Sequence, residues 1–120
     1  MDKEYIEFIL KDEEIAKSIS KLRTQFSHHI SEFYFFNLFV EILKKFNIMV
    51  KFEKKTYINN ENKPVTDCFI SLYEGDKGIT TQYDENKLKE TLNHFNSKQS
   101  ELGFFASTMF LIDTFVNLFS

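Results

Sequence analysis

Three histidines, one cysteine and a Gly-Asp-Lys-Gly run are the parts of this 120-residue chain whose residue types could do chemistry. The adjacent pair His28-His29 invites a metal reading. Neighbouring positions on a helix diverge by about 100°, so the two imidazoles do not readily share one ion, and neither HxxH nor HxxxH occurs. His94 has no sequence link to them, and Cys68 would join only as a distant soft ligand. The expectation is helix-boundary and surface histidines, with no metal and no cofactor.

A nucleophilic cysteine needs a depressed pKa from a nearby histidine or helix N-terminus. Cys68 sits on the same alternation as Ile70 and Leu72, the pattern of a small buried hydrophobe in a strand. Gly75-Asp76-Lys77-Gly78 lacks the order and the strand-loop-helix setting of a phosphate loop and reads as a hairpin turn. GxSxG, HExxH, EF-hand and dinucleotide fingerprints do not occur. Glu32 and Glu41 are the acids of the most apolar segment. Glu41 falls on a polar stripe with Asn37 and Lys44, where solvation or pairing with Lys45 is expected. No catalytic residues are assigned, and an enzyme is not expected.

The elements that would position these residues are clearer. Residues 2–10 fit a helix (Tyr5, Ile6, Ile9, Leu10) or a strand (Ile6, Phe8, Leu10), and the helical context downstream favours a helix. Asp12 can cap a second helix with Glu13 and Glu14 in its first turn and Ile15, Ile19, Leu22 and Phe26 on one face. A break is expected at Ser27 or His28. From Ile30 to Phe46 the chain is apolar around nearly the whole circumference, which predicts a helix buried on most sides. With 15 Phe in the chain, many of them here and in Phe104–Phe119, this helix is the expected structural centre.

Periodicity then drops to two. Val50–Ile58 and Val65–Tyr73 read as strands around the polar turn Asn59–Pro64, and Ile79–Tyr83 as a short third strand. Asp84 or Glu85 starts another helix, Asn96-Ser97 offers a break, and Ser100–Phe119 is helical again with a bend at Gly103. The pattern predicts one α+β domain over residues 1–120: N-terminal helices, a small antiparallel meander of two or three strands, then C-terminal helices around a Phe-rich core.

Charge and composition narrow the function classes. Net charge is −3, and all but Arg23 of the 15 basic residues are Lys. Nucleic-acid readers usually carry a basic surplus and favour Arg, so no nucleic-acid partner is expected. The acidic start Asp2-Lys3-Glu4 does not resemble a leader, and the run Phe104–Phe119 contains Asp113 and falls short of the roughly 20 residues of a bilayer span. A lone cysteine fits a reducing compartment, so a cytoplasmic protein without membrane contact is expected.

Charge is also unevenly placed. Lys44, Lys45, Lys51, Lys54 and Lys55 face only Glu53, whereas Glu61, Asp67, Glu74, Asp76, Asp84 and Glu85 face only Lys63 and Lys77. One reading is neutralisation across neighbouring strands. The other is an acidic, aromatic patch of Tyr73, Glu74, Asp76, Tyr83, Asp84 and Glu85 that faces a basic protein partner. The favoured expectation is a stoichiometric protein-binding inhibitor of the bacterial immunity-protein (antitoxin) kind, masking a basic toxin by steric and electrostatic occlusion. Two alternatives stand beside it: an oligomeric adaptor or structural subunit, dimerising through its C-terminal Phe-rich helix, and a small apolar-ligand domain with Tyr34, Asn37 and Glu41 as its polar groups.

Overall fold

Helix starts in this chain are set by short polar side chains. The computed structural model describes residues 2–25 and 29–120, and among them are five helices and three strands. Helix α1 (Lys3–Leu10) opens on Asp2, α2 (Glu13–Arg23) on Asp12, α3 (Glu32–Lys44) on Ser31 and α4 (Glu85–Leu102) on Asp84. Each cap oxygen accepts from a backbone N–H two or three residues on, satisfying a donor that the helix itself cannot. Helix α5 (Phe104–Asn117) has no side-chain cap and follows Gly103 at φ 76, ψ 165, a conformation open in practice only to glycine.

The strands are β1 (Met49–Ile58), β2 (Pro64–Glu74) and β3 (Lys77–Tyr83), paired antiparallel in the order β1-β2-β3. The fold is α+β, with helices at both ends of the chain and a buried Phe cluster. Asn59 holds the first turn, its side-chain oxygen accepting from the amides of Glu61 and Lys63. Gly75, at φ 63, begins a two-residue second turn.

Register sorts the side chains into two faces. Val50, Leu72 and Ile79 form one row on the inner face, followed by Phe52, Ile70 and Thr81, then Lys54, Cys68 and Tyr83. Helix α3 lies on this face, with Phe36 stacked on Phe52 at 4.9 Å and tilted against Tyr83 at 5.4 Å. Its other side, Phe35 and Phe39, meets Phe115 of α5, and the Phe39–Phe115 rings stack at 4.1 Å. Helix α1 runs against the second half of α5, through Lys11–Asp113 and Lys3–Ser120. The end of α2 meets the start of α5, where Arg23 bonds to Ser107, Thr108 and the Phe104 carbonyl.

Three expectations change. The helix expected to break at Asn96-Ser97 runs on to Leu102. Asn96 turns its amide outward to clamp Ile30, accepting from its N–H at 2.7 Å and donating to its carbonyl at 2.9 Å, so it does not compete with the helix backbone. Helix α3 is less enclosed than its composition predicts: Phe33 is 66% exposed and Tyr34 40%, on one side with Asn37, Glu41 and Lys44. Neutralisation across the ladder accounts for little of the lysine charge. Lys55 and Asp67 are register partners, but Lys54 pairs with Glu32 of α3 and Glu85 of α4. The expected break at Ser27 or His28, and Phe26 of the second helix's apolar face, lie outside the described residues.

Phe115→Ala removes the ring that joins Phe35, Phe39 and Phe119 and is expected to cost about 3–5 kcal/mol. Phe105→Ala, at a ring 68% exposed, is expected to change stability by less than about 0.5 kcal/mol. Urea unfolding of the two variants measures the difference.

Candidate functional site

The six expected partner-binding residues fall into two groups. Tyr73, Glu74 and Asp76 sit at the turn between β2 and β3, whereas Tyr83, Asp84 and Glu85 lie where β3 passes into α4. Six residues of extended chain separate the groups, roughly 20 Å. They do not form one patch.

The second group is drawn into a polar cluster. Tyr83 is only 6% exposed and points inward, its hydroxyl 3.3 Å from Glu32. Lys54 lies 3.4 Å from Glu32 and 3.2 Å from Glu85, and Lys89 lies 2.6 Å from Glu85. The Cys68 thiol donates to Glu85 at 3.1 Å. These contacts tie α3, all three strands and the first turn of α4 together beneath an open cleft of about 940 Å³.

The electrostatics follow from the contacts. Hydrogen bonds from Lys89 and then from Cys68 hold the Glu85 carboxyl down at about 2. Burial, reinforced by Glu85, pushes the Cys68 thiol up to about 11. Burial with Cys68 and Glu32 nearby likewise raises Tyr83 well above the usual phenol range. Cys68 is therefore a protonated donor at neutral pH, not a thiolate nucleophile. Glu85 is a neutralised anchor and offers little long-range field. Asp84 stays exposed, with one carboxylate oxygen capping α4.

Tyr73 of the first group belongs to a different surface, the outer face of the sheet, whereas Glu74 alternates to the helix side. The register places Lys51, Glu53, Lys55 and Tyr57 of β1 there, with Val65, Asp67, Phe69, Ser71 and Tyr73 of β2 and Gly78, Thr80 and Gln82 of β3. Tyr73 is 38% exposed and Tyr57 48%. The Tyr73 ring lies against Gly78, where an added Cβ would stand 2.6 Å from the ring. The Lys55 ammonium sits 5.4 Å from the centre of the Phe69 ring. Ser71 and Thr80 share a hydrogen bond at 2.7 Å, and Gln82 donates to Asp67 at 3.2 Å. At the near edge Tyr5 donates to Glu74 at 2.7 Å, while Asp76 is exposed.

Tyr57 and Phe69 were not singled out by the sequence reading. The alternation of Cys68, Ile70 and Leu72 with Phe69, Ser71 and Tyr73 carried the signal, because residues opposite a buried row must face outward. Tyr34 and Glu41, expected to serve an apolar pocket, are exposed on the outer side of α3, with Asn37 half-buried between them. His29 and His94 are exposed. Among the described residues no three His, Cys, Asp or Glu side chains group in a way that could hold a metal ion. No helix among them is long and apolar enough to cross a membrane.

No known family, curated protein or solved structure matches this chain.

Because the folded-state pKa of Glu85 is depressed, its ion pairs stabilise the fold above the unfolded carboxyl pKa near 4.3 and are lost as pH falls toward 2. Urea midpoints between pH 6 and pH 2 are expected to fall less steeply for Glu85→Gln than for the parent below about pH 4. Cys68, buried and protonated, is expected to resist alkylation at pH 8 until the protein is unfolded, which mass spectrometry of iodoacetamide-treated samples measures.

Proposed function

We propose that this chain is a stoichiometric protein-binding inhibitor that works by occlusion, in the manner of a bacterial immunity protein masking a basic toxin. One observation carries the reading. The helices pack against the inner side of the sheet and leave the outer side to solvent, with Tyr57 and Tyr73 exposed and Phe69 half-buried among Lys51, Glu53, Lys55 and Thr80. Rigid aromatic groups ringed by polar ones are the composition of binding hot spots, and Tyr73 and Phe69 are held in place before any partner arrives.

Electrostatics favour a basic partner at one end of this face. Asp76 is exposed in the β2–β3 turn, half-buried Glu74 beside it accepts from Tyr5 of α1, Lys77 is the neighbouring cation, and the chain as a whole carries −3. Such a field speeds encounter with a cationic surface and weakens as salt rises. The free, buried Cys68 suits a reducing compartment such as the cytoplasm. For the adaptor alternative, α5 places Leu111, Ile112, Phe115 and Val116 in the core and keeps Phe104 and Phe105 of its first turn exposed. That is a small seam for an obligate dimer.

The test is capture from a native lysate followed by native mass spectrometry. A one-to-one complex is expected with the parent and with Glu41→Ala on the far side of α3. Phe69→Ala with Tyr73→Ala is expected to abolish it, and Glu74→Lys with Asp76→Lys to slow association and remove most of its salt dependence. A complex indifferent to all four changes overturns the assignment.

A further inference from the structure

Strand β2 outruns its neighbour β3. Pairing with β3 begins at Cys68–Tyr83, whereas pairing with β1 continues to Ile58–Pro64. Residues 64–67 therefore have a strand on one side only, because the chain leaves the sheet after Tyr83 to enter α4. The two-residue turn Gly75-Asp76 makes Glu74 and Lys77 a hydrogen-bonded pair. In an antiparallel ladder such pairs alternate, so Leu72, Ile70 and Cys68 also bond toward β3. The next residue in that series is Thr66, whose backbone N–H and C=O are thereby aimed at the space where β3 stops. Pro64, which has no N–H to offer, occupies the following place on the same edge, as expected of a strand border facing solvent.

That edge adjoins the open cleft of about 940 Å³, which is walled by Lys54, Thr56 and Thr66 of the hairpin and by Tyr83, Asp84 and Asn86 across it. A notch with an unfilled strand position and a polar lining fits an extended peptide, which would add main-chain hydrogen bonds in line with β3. The charges select its side chains. Lys54 is already engaged by Glu32 and Glu85, while Asp84 of the cleft wall caps α4 and Asp67, next to Thr66 on the outer face, takes a hydrogen bond from Gln82.

We infer that this notch binds an extended, basic segment of the protein partner as a continuation of the third strand. The inference rests on the protein-binding reading and adds to it the conformation and charge of the segment recognised. It supplies a second contact at the end of the sheet away from Tyr73, so an intruding segment and the outer face would engage one partner together.

Amide NMR and hydrogen exchange test it without the natural partner, using acetyl-Lys-Val-Lys-Val-Lys-amide as the probe. In the free protein the Thr66 amide is expected to exchange fast while Val65 and Asp67, bonded to β1, are protected. The probe is expected to shift Thr66 and slow its exchange by roughly tenfold or more, and the peptide with Glu in place of Lys to bind roughly tenfold more weakly at low salt. Thr66→Pro removes the N–H at an edge that already tolerates Pro64, and is expected to fold and to lose the response at Val65 and Asp67. If that variant does not fold, exchange at Thr66 in the parent and the two-peptide comparison still decide. A protected Thr66 in the free protein, no response to the basic peptide, or a response confined to Phe69 and Tyr73 overturns the inference. The outer-face variants of the capture experiment leave the notch intact, so the two readings fail separately.

Discussion

Helix α3 must be covered on two sides, and everything else in this fold follows from how that is done. Phe36 on one side needs the sheet, and Phe35 with Phe39 on the other needs α5, through the 4.1 Å stack of Phe39 on Phe115. A single helix sandwiched this way leaves no apolar demand on the far side of the sheet. The helices gather on one side, and the outer sheet face is left for solvent or for a partner. Each of the large rings buried around α3 is worth roughly 1.5–3 kcal/mol in removal from water, far more than any exposed ion pair on this surface.

The polar cluster serves the same arrangement at its one weak seam. The inner sheet face is apolar through the rows headed by Val50 and Phe52 but turns polar at Lys54, Cys68 and Tyr83. A lysine at the edge strand discourages a second sheet from docking edge to edge, and it pairs Glu32, whose side chain is only 14% exposed and would be costly unpaired. Glu32 and Glu85 meet it there, which fixes the starts of both α3 and α4 against the sheet. What looks in the sequence like acidic surface is thus partly internal scaffolding.

Sequence reasoning reached the architecture because the determinants were local. Asp12 and Asp84 announce their helices, alternation marks the strands, and Asn59 and Gly75 mark the turns. It failed where the determinant was distant. Asn96 resembles a helix breaker until Ile30, far away in the chain, takes up its amide. Phe33 and Phe36 are the same residue type three positions apart, and only the placement of the sheet makes one 66% exposed and the other 1%. Tyr83 and Glu85 read as surface acid and aromatic because Glu32 and Lys54, their partners, lie 51 and 31 positions away. Half of the expected patch, Tyr73 with Glu74 and Asp76, stayed on the surface; its aromatic neighbours Tyr57 and Phe69 emerge from strand pairing, which single-strand periodicity does not specify.

Hydroxyl-radical footprinting read by mass spectrometry compares the exposure of rings of the same chemistry within one sample. If the helices cover the inner sheet face alone, Tyr57 and Tyr73 are oxidised rapidly while Tyr83, Phe36 and Phe39 are protected until the protein unfolds. Protection of Tyr73 and Tyr57 in the isolated monomer, or oxidation of Tyr83 as fast as theirs, would contradict the account.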